Sequence, residues 1–347
     1  MINVGIAGIG FMGMIHYLAY QKIRGVKVRA MCEKDKKRLA GDWRSIKGNF
    51  GPQGTMMDLA GIARYAELDG LLAHANLDLI DICLPPSLHA DVAVAALKAG
   101  KHVFCEKPIA LNPTDAKRMV KAAEKAGKML MIGHVLPFFP EYRFAYDAIT
   151  SRRYGKLLGM HVKRIISDPL WLPDFYSPAV CGGPMIDLHV HDAHFIRVVC
   201  GMPAAVHTVG SMRGEVAERF TTQFLFENPS PMVSASCGVI NQQGRPFTHG
   251  FEIYLERATL LFDAASIGKD WVVAYPLTVF ADDGELLRPT LSSTDPCDPF
   301  VAEIKEVLHC IRTRKPSRLL AAELACDAIV LCDKQTESLQ RRRAVKV

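Results

Sequence analysis

The sequence predicts an α/β fold with a doubly wound parallel sheet over residues 1–136, followed by an α+β domain with a large, mostly antiparallel open sheet over 137–347. Three observations lead there. A Gly-x-Gly-x-x-Gly turn lies between an apolar run and a helical pattern near the start. Strand-like and helix-like segments then alternate as far as Gly133. From about residue 137 the pattern changes: one helix-like segment gives way to strands of hydrophobic period two.

The elements follow in order. "INVGIAG" is a short apolar strand ending in glycine, and "FMGMIHYLAYQKI" has helical spacing up to Gly25. Between them stand Gly8, Gly10 and Gly13, and "VKVRAMC" then ends at Glu33. Strand, tight turn and helix in this order bring backbone N–H groups to a helix N-terminus, where an anionic pyrophosphate is favoured. This reads as the turn of a Rossmann domain, with Phe11 and Met12 in the same segment; the alternative is a glycine-rich turn in some other α/β domain. Glu33, twenty residues past Gly13, is spaced to accept hydrogen bonds from ribose hydroxyls. A carboxylate there repels a 2′-phosphate and favours NAD, while Lys34, Lys36, Lys37 and Arg38 leave NADP open.

"GDWRSIKGNFGPQGT" (41–55) reads as an inserted loop. "LDLIDICLPP" (77–86) is a buried strand and "LHADVAVAALKAG" (88–100) a helix closed by glycine. "KHVFCEKP" is a further strand. "NPTDAKRMVKAAEKAG" begins on capping residues, and "KMLMIG" closes the series. Repeated strand–helix units imply a parallel sheet with right-handed crossovers, whose ligands lie beyond the strands' carboxyl ends. Leu84, Pro85, Pro86 and His89 fall at one such end; Glu106 and Lys107 fall at another.

Past 137, "EYRFAYDAITSRR" is helical. Strands follow at "LLGMHVKRII", "AAVHTVGSMR", "RFTTQFLFEN", "MVSASCGVI", "HGFEIYLERATLLFD" and "WVVAYPLTVFA". An open sheet of this kind leaves one face to be covered, which self-association would supply. Two helices, about 299–313 and 320–340, close the chain and have the option of packing back on the first domain.

Composition narrows the function classes. The charge of +6 is modest and scattered apart from "RRRAVK" (341–346), a short solvated end, so no nucleic-acid partner is expected. No apolar stretch reaches membrane-spanning length. Ten cysteines without a Cys-x-x-Cys pair read as free thiols in a reducing compartment, the cytoplasm.

"PMIDLHVHDAHF" (184–195) holds three histidines and two aspartates. Read as one helix up to Gly201, it puts Asp187 and His191 on one face and turns His189 away by about 200°. A metal site pairing His189 with His191 needs a strand, so no metal is expected. Asp187 and His191 are either an orienting carboxylate with a general base or a satisfied i,i+4 pair. Lys107 is either a solvated lysine or an ammonium that polarises a substrate hydroxyl.

"GIAGIGFMG", "LDLIDICLPPSLHA", "HADVAVAALKAGKHVFCEKPIAL", "GGPMIDLHVHD" and "DPFVAEIKEVLHCIRTRKPS" together resemble the glucose–fructose oxidoreductase / inositol dehydrogenase / rhizopine-catabolism (Gfo/Idh/MocA) oxidoreductases. The resemblance implies an NAD(P)-dependent dehydrogenase acting on a secondary alcohol of a sugar, sugar derivative or cyclitol. It implies Lys107, Asp187 and His191 as the catalytic group and a homodimer or homotetramer built through the sheet. His189 stands where glycine is frequent in the family, and Pro137 where arginine is. His134, Trp171 and Tyr176 are candidate substrate contacts beside Lys107, Asp187 and His191; His249 is a weaker one. Two alternatives from related proteins are a glycosidase using NAD for transient oxidation and a non-catalytic NAD-sensing regulator.

Overall fold

The computed structural model describes residues 1–48, 50–227, 231–292 and 295–347. Asn49 of the expected loop and Asn228 at the end of an expected strand lie outside the described residues. The chain forms two compact units: Met1–Phe138 with Ser293–Cys326, and Phe139–Ser292 with Asp327–Val347.

In unit 1 the order is β1 (Ile2–Ala7), α1 (Phe11–Gln21), β2 (Val26–Cys32), α2 (Lys36–Leu39), β3 (Ala63–Tyr65), α3 (Leu68–Ala73), β4 (Leu79–Ile82), α4 (Pro86–Lys98), β5 (His102–Glu106), α5 (Pro113–Ala126) and β6 (Leu130–Gly133). The strands pair in the order β3-β2-β1-β4-β5-β6, all parallel. Sequential strands lie to either side of β1, so the winding reverses between β1 and β4, and the ligand crevice of such sheets opens there. β4 and β6 are buried at every residue, as expected of strands covered on both faces.

Local chemistry sets the helix ends. Asn112 caps α5 by accepting from the Asp115 N–H at 2.9 Å, and Pro113 fills the first turn. The expected strand 77–86 ends earlier, at Ile82: Pro86 opens α4 instead, where its missing N–H costs nothing. Trp43, inside the irregular 41–55 segment, is fully buried. Its indole donates to the Arg38 carbonyl at 2.9 Å and meets Tyr17 edge-on at 5.2 Å.

In unit 2 the order is α6 (Pro140–Thr150), β7 (Leu157–Ser167), α7 (Gly183–Asp187), α8 (His189–Cys200), β8 (Ala205–Arg213), β9 (Val216–Leu225), β10 (Met232–Ile240), β11 (Phe247–Leu255), β12 (Ala258–Ile267), β13 (Asp270–Ala281) and β14 (Leu286–Leu287). After α9 (Asp298–Thr313) and α10 (Ala322–Arg341), β15 (Val345–Lys346) joins the same sheet. The strand order is β14-β13-β12-β11-β7-β10-β9-β8-β15, antiparallel except between β7 and β10. The expected single strand 249–263 is two: the chain reverses at Glu256–Arg257 with Leu255 paired to Ala258 and neither turn residue at positive φ. α9 belongs to unit 1, and the unit boundary after Cys326 falls inside α10.

α7 and α8 cover one face of the sheet. The Arg164 guanidinium on β7 donates through Nε and Nη2 to both Asp192 oxygens on α8, each at 2.9 Å, with both side chains buried. The other face carries Leu225, Met232 and Phe280 exposed, among polar cross-strand pairs such as Thr221 with Ser236.

Candidate active site

In unit 1 the glycine turn sits between the ends of β2 and β4: Gly8 donates to the Cys32 carbonyl at 2.9 Å and Cys83 to the Ala7 carbonyl at 2.8 Å. Each glycine has its own reason. Gly8 has φ +95°, and a Cβ there would stand 2.6 Å from the Cys83 carbonyl oxygen. A Cβ on Gly13 would stand 2.1 Å from the Gly8 oxygen, so helix and turn touch through backbone. Gly10, the N-cap of α1, faces open space and has no side-chain cap, and no acid stands in the first turn. An open, uncapped helix start without negative charge fits a dinucleotide's pyrophosphate.

Glu33 stands just past β2. Its Oε2 accepts from the Ile9 N–H at 2.7 Å and its Oε1 from the Asp35 N–H at 2.9 Å. The carboxylate is thereby pinned beside the turn with lone pairs left for ribose hydroxyls. Phe11 packs edge-on against Phe50 at 4.8 Å, so its ring is already engaged. Met12 is half-buried in the first turn, and Leu84 packs on the turn near Gly8. Pro85 is exposed and Pro86 half-buried.

His89 braces two loops. Its ring is fully buried, with Nδ1 2.8 Å from the Pro108 carbonyl oxygen and Nε2 2.7 Å from that of Leu84. It thus ties the loop after β4 to the one after β5, and burial pushes its pKa down. Lys107 follows β5; its backbone N–H donates to Glu106 Oε2 at 3.1 Å. Glu106 itself is buried, with Oε1 3.0 Å from His16 Nε2. His134 is fully buried just past β6.

In unit 2 the expected helix 184–201 is broken. Leu188 (φ −104°, ψ −58°) separates α7 from α8, and the His191 N–H bonds the Leu188 carbonyl three residues back at 3.3 Å instead of continuing the i→i−4 ladder. Asp187 ends α7 and His191 lies in the first turn of α8, both half-buried. His189 turns into the core, fully buried against Phe220 at 5.3 Å and Phe224 at 6.4 Å. Burial pushes its pKa down to about 4. His194 is also fully buried.

The loop between β7 and α7 leaves Trp171 72% exposed. Tyr176 is held: its hydroxyl donates to Asp168 Oδ1 at 2.9 Å, and the Arg213 guanidinium lies 3.9 Å over its ring while donating to Asp168 Oδ2 at 2.7 Å. Burial and Asp168 push the phenol up to about 12. His249 packs inside unit 2. Buried and stacked on Tyr142 at 5.8 Å, it is pushed down to about 3, mainly by burial.

Sequence reasoning missed His16, Asp81, Glu303, Arg164 with Asp192, and Arg213. Asp81, a charged residue inside the buried run "LIDIC", carried a readable signal. Among the described residues, His16, Asp81 and Cys83 alone bring three potential metal donors within 4.8 Å of one another, and hydrogen bonds among them account for that closeness.

A family profile described as "Oxidoreductase family, NAD-binding Rossmann fold" matches residues 2–134, and one described as "GFO/IDH/MocA C-terminal domain" matches 142–261. A myo-inositol 2-dehydrogenase of Thermotoga maritima is 30% identical over 201 residues, 58% of this chain and 55% of that protein. A 1,5-anhydro-D-fructose reductase of Ensifer adhaerens is 34% identical over 134 residues, 38% of this chain and 40% of its own. The match thus spans about half the length of the first of these curated relatives and less of the second. A levoglucosan dehydrogenase, solved with NADH and levoglucosan, superposes with a TM-score of 0.79 at 20% identity over 100% of this chain and 99% of that one, a likeness of fold. With both of its halves matched, one by the nucleotide-binding domain and one by the C-terminal domain, this chain belongs to the Gfo/Idh/MocA oxidoreductase family.

Proposed function

We propose that the protein is an NAD(P)-dependent dehydrogenase that oxidises a secondary alcohol of a sugar, sugar derivative or cyclitol. The observation that carries this reading is Lys107, at the carboxyl end of β5 in the sheet that bears the dinucleotide turn. NAD, when bound, supplies the hydride acceptor. The chain must then handle the proton, because an alcohol that loses hydride also loses its hydroxyl proton. His191 is assigned as the base, since imidazole has an ordinary pKa suited to that role near neutrality. Asp187, at the end of the preceding helix, is assigned to orient it. The Lys107 ammonium hydrogen-bonds the hydroxyl oxygen and favours its deprotonated form. His134, Trp171 and Tyr176 are assigned to the polyol's remaining hydroxyls and ring faces. Tyr176, already donating to Asp168, contributes there as an acceptor or an aromatic face.

NAD is preferred to NADP because the pinned Glu33 carboxylate repels a 2′-phosphate. Ten free thiols suit a reducing cytoplasm. No described helix is long and apolar enough to cross a membrane. The protein assembles, in this reading, as a homodimer or homotetramer through the open face of the unit 2 sheet.

The test is NADH production from a panel of myo-inositol, levoglucosan and related polyols, with two variants. Lys107→Met and His191→Ala should each lower kcat by roughly two to four orders of magnitude while NAD still binds. Near-normal turnover in either variant overturns the assignment of that residue. Release of free sugar from a glycoside without net NADH points instead to a glycosidase.

A further inference from the structure

Beneath the glycine turn lies a buried polar cluster that the reaction above does not use. His16, on α1 one turn past Gly13, is fully buried with its ring stacked on Phe104 at 5.3 Å. Its Nδ1 is 3.0 Å from Asp81 Oδ2 on β4, and its Nε2 is 3.0 Å from Glu106 Oε1 at the end of β5. Glu106 uses its other oxygen to accept the Lys107 backbone N–H. One imidazole therefore spans the start of the dinucleotide helix, the strand at the winding reversal and the residue before Lys107.

We propose that His16 is the positioning residue for Lys107, holding the Glu106 carboxylate so that the Lys107 backbone is fixed relative to the dinucleotide turn; this rests on the dehydrogenase reading of Lys107. The Nδ1 side is hydrogen-bonded to Asp81, while Nε2 meets Glu106 as a close charge contact at 3.0 Å without hydrogen-bond geometry, an arrangement that suits an imidazole carrying protons on both nitrogens. Burial, the largest single influence, disfavours that cation, yet Asp81, by charge and hydrogen bond, and Cys83 beside it together outweigh it and hold the His16 pKa well above the usual histidine range. The other ionisable groups around the cluster are Tyr20 on α1, Cys83 past β4, Cys105 on β5 and Glu303 on α9. Burial raises all four, so they remain neutral. His16 is the cation this cluster sets against Asp81 and Glu106.

The experiment uses the full chain with its lysines reductively methylated with carbon-13, the Lys107 signal being assigned by its loss in Lys107→Met. His16→Gln keeps a donor but removes the charge and one of the two contacts. It should move the Lys107 signal and its titration midpoint while other lysine signals stay. Glu106→Gln should do the same, and the double variant should move the signal no further. Where wild type turns over a polyol of the panel, His16→Gln should lower kcat by roughly tenfold to a hundredfold, with the Kd for NAD unchanged. In the Lys107→Met background it should lower turnover no further. An unmoved Lys107 signal, additive losses, or a loss of NAD affinity equal to the loss of kcat overturns the proposal. If His16→Gln does not fold, Glu106→Gln tests the same link from the other side. Near-normal turnover in Lys107→Met sinks the dehydrogenase reading of that lysine separately.

Discussion

At the scale of single residues, the buried histidines set how stability responds to acid. His189 and His249 have folded pKa values of about 4 and about 3, against an ordinary 6.5. The unfolded chain therefore takes up protons first as pH falls. Their contribution is complete above about pH 6.5 and is lost progressively toward the folded values. His16 has the opposite sign: its contribution is complete below the ordinary value and is lost progressively as pH rises from there through its elevated one. It adds little slope in the acid range. Lowering pH from 7 to 5 should thus cost about 2 kcal/mol for each of the two depressed histidines. Urea denaturation of wild type, His189→Phe and His249→Phe checks this: each variant should show a shallower decline. Legibility at this scale followed chemistry tied to spacing. The placement of Glu33 just past β2 and of Lys107 just past β5 could be read from their distance to glycines and a strand end. His16 could not, because a histidine inside an apolar helical pattern looks like any packed one until Asp81 and Glu106, far away in sequence, are seen beside it.

At the scale of elements, the helix carrying His191 depends on a charge pair. Arg164 and Asp192 dock α8 on β7 through two buried hydrogen bonds. Removing one partner strands the other charge, so Asp192→Asn should destabilise by about 3–5 kcal/mol. Replacing both, with Arg164→Met and Asp192→Leu, should cost less, since no uncompensated charge remains. Urea midpoints of the three chains decide this, and equal losses would refute the argument. The parallel strands and most helix ends were legible because Asn112, Pro113 and the closing glycines act locally. The break at Leu188 was not: the apolar spacing of Ile186, Val190 and Phe195 is the same whether the ladder is continuous or kinked. The hairpin at Glu256–Arg257 was hidden likewise, because neither residue is a customary turn former.

At the scale of the whole molecule, the two-part architecture was legible from the change of period after residue 137. The return of α9 to unit 1 was not. Its apolar face, with Phe300, Ile304 and Val307 buried, names no partner, and only contacts such as Arg312 with the Gly25 carbonyl at 3.0 Å show where it belongs. The open sheet face supports self-association: Leu225, Met232 and Phe280 are exposed on a broad surface crossed by paired polar side chains. Sedimentation equilibrium should give a dimer or tetramer, and Met232→Asp with Leu225→Asp should shift it toward monomer. A wild-type chain that sediments as a monomer at micromolar concentration would remove the assembly from the proposal.

The seating of Trp43 has a practical outcome. Of three tryptophans, Trp171 and Trp271 are 72% and 53% exposed, while Trp43 is sealed in unit 1. Iodide in the buffer will extinguish the first two and leave the third emitting, blue-shifted. The nucleotide-binding half thereby carries its own optical reporter, separable from the other half without any label.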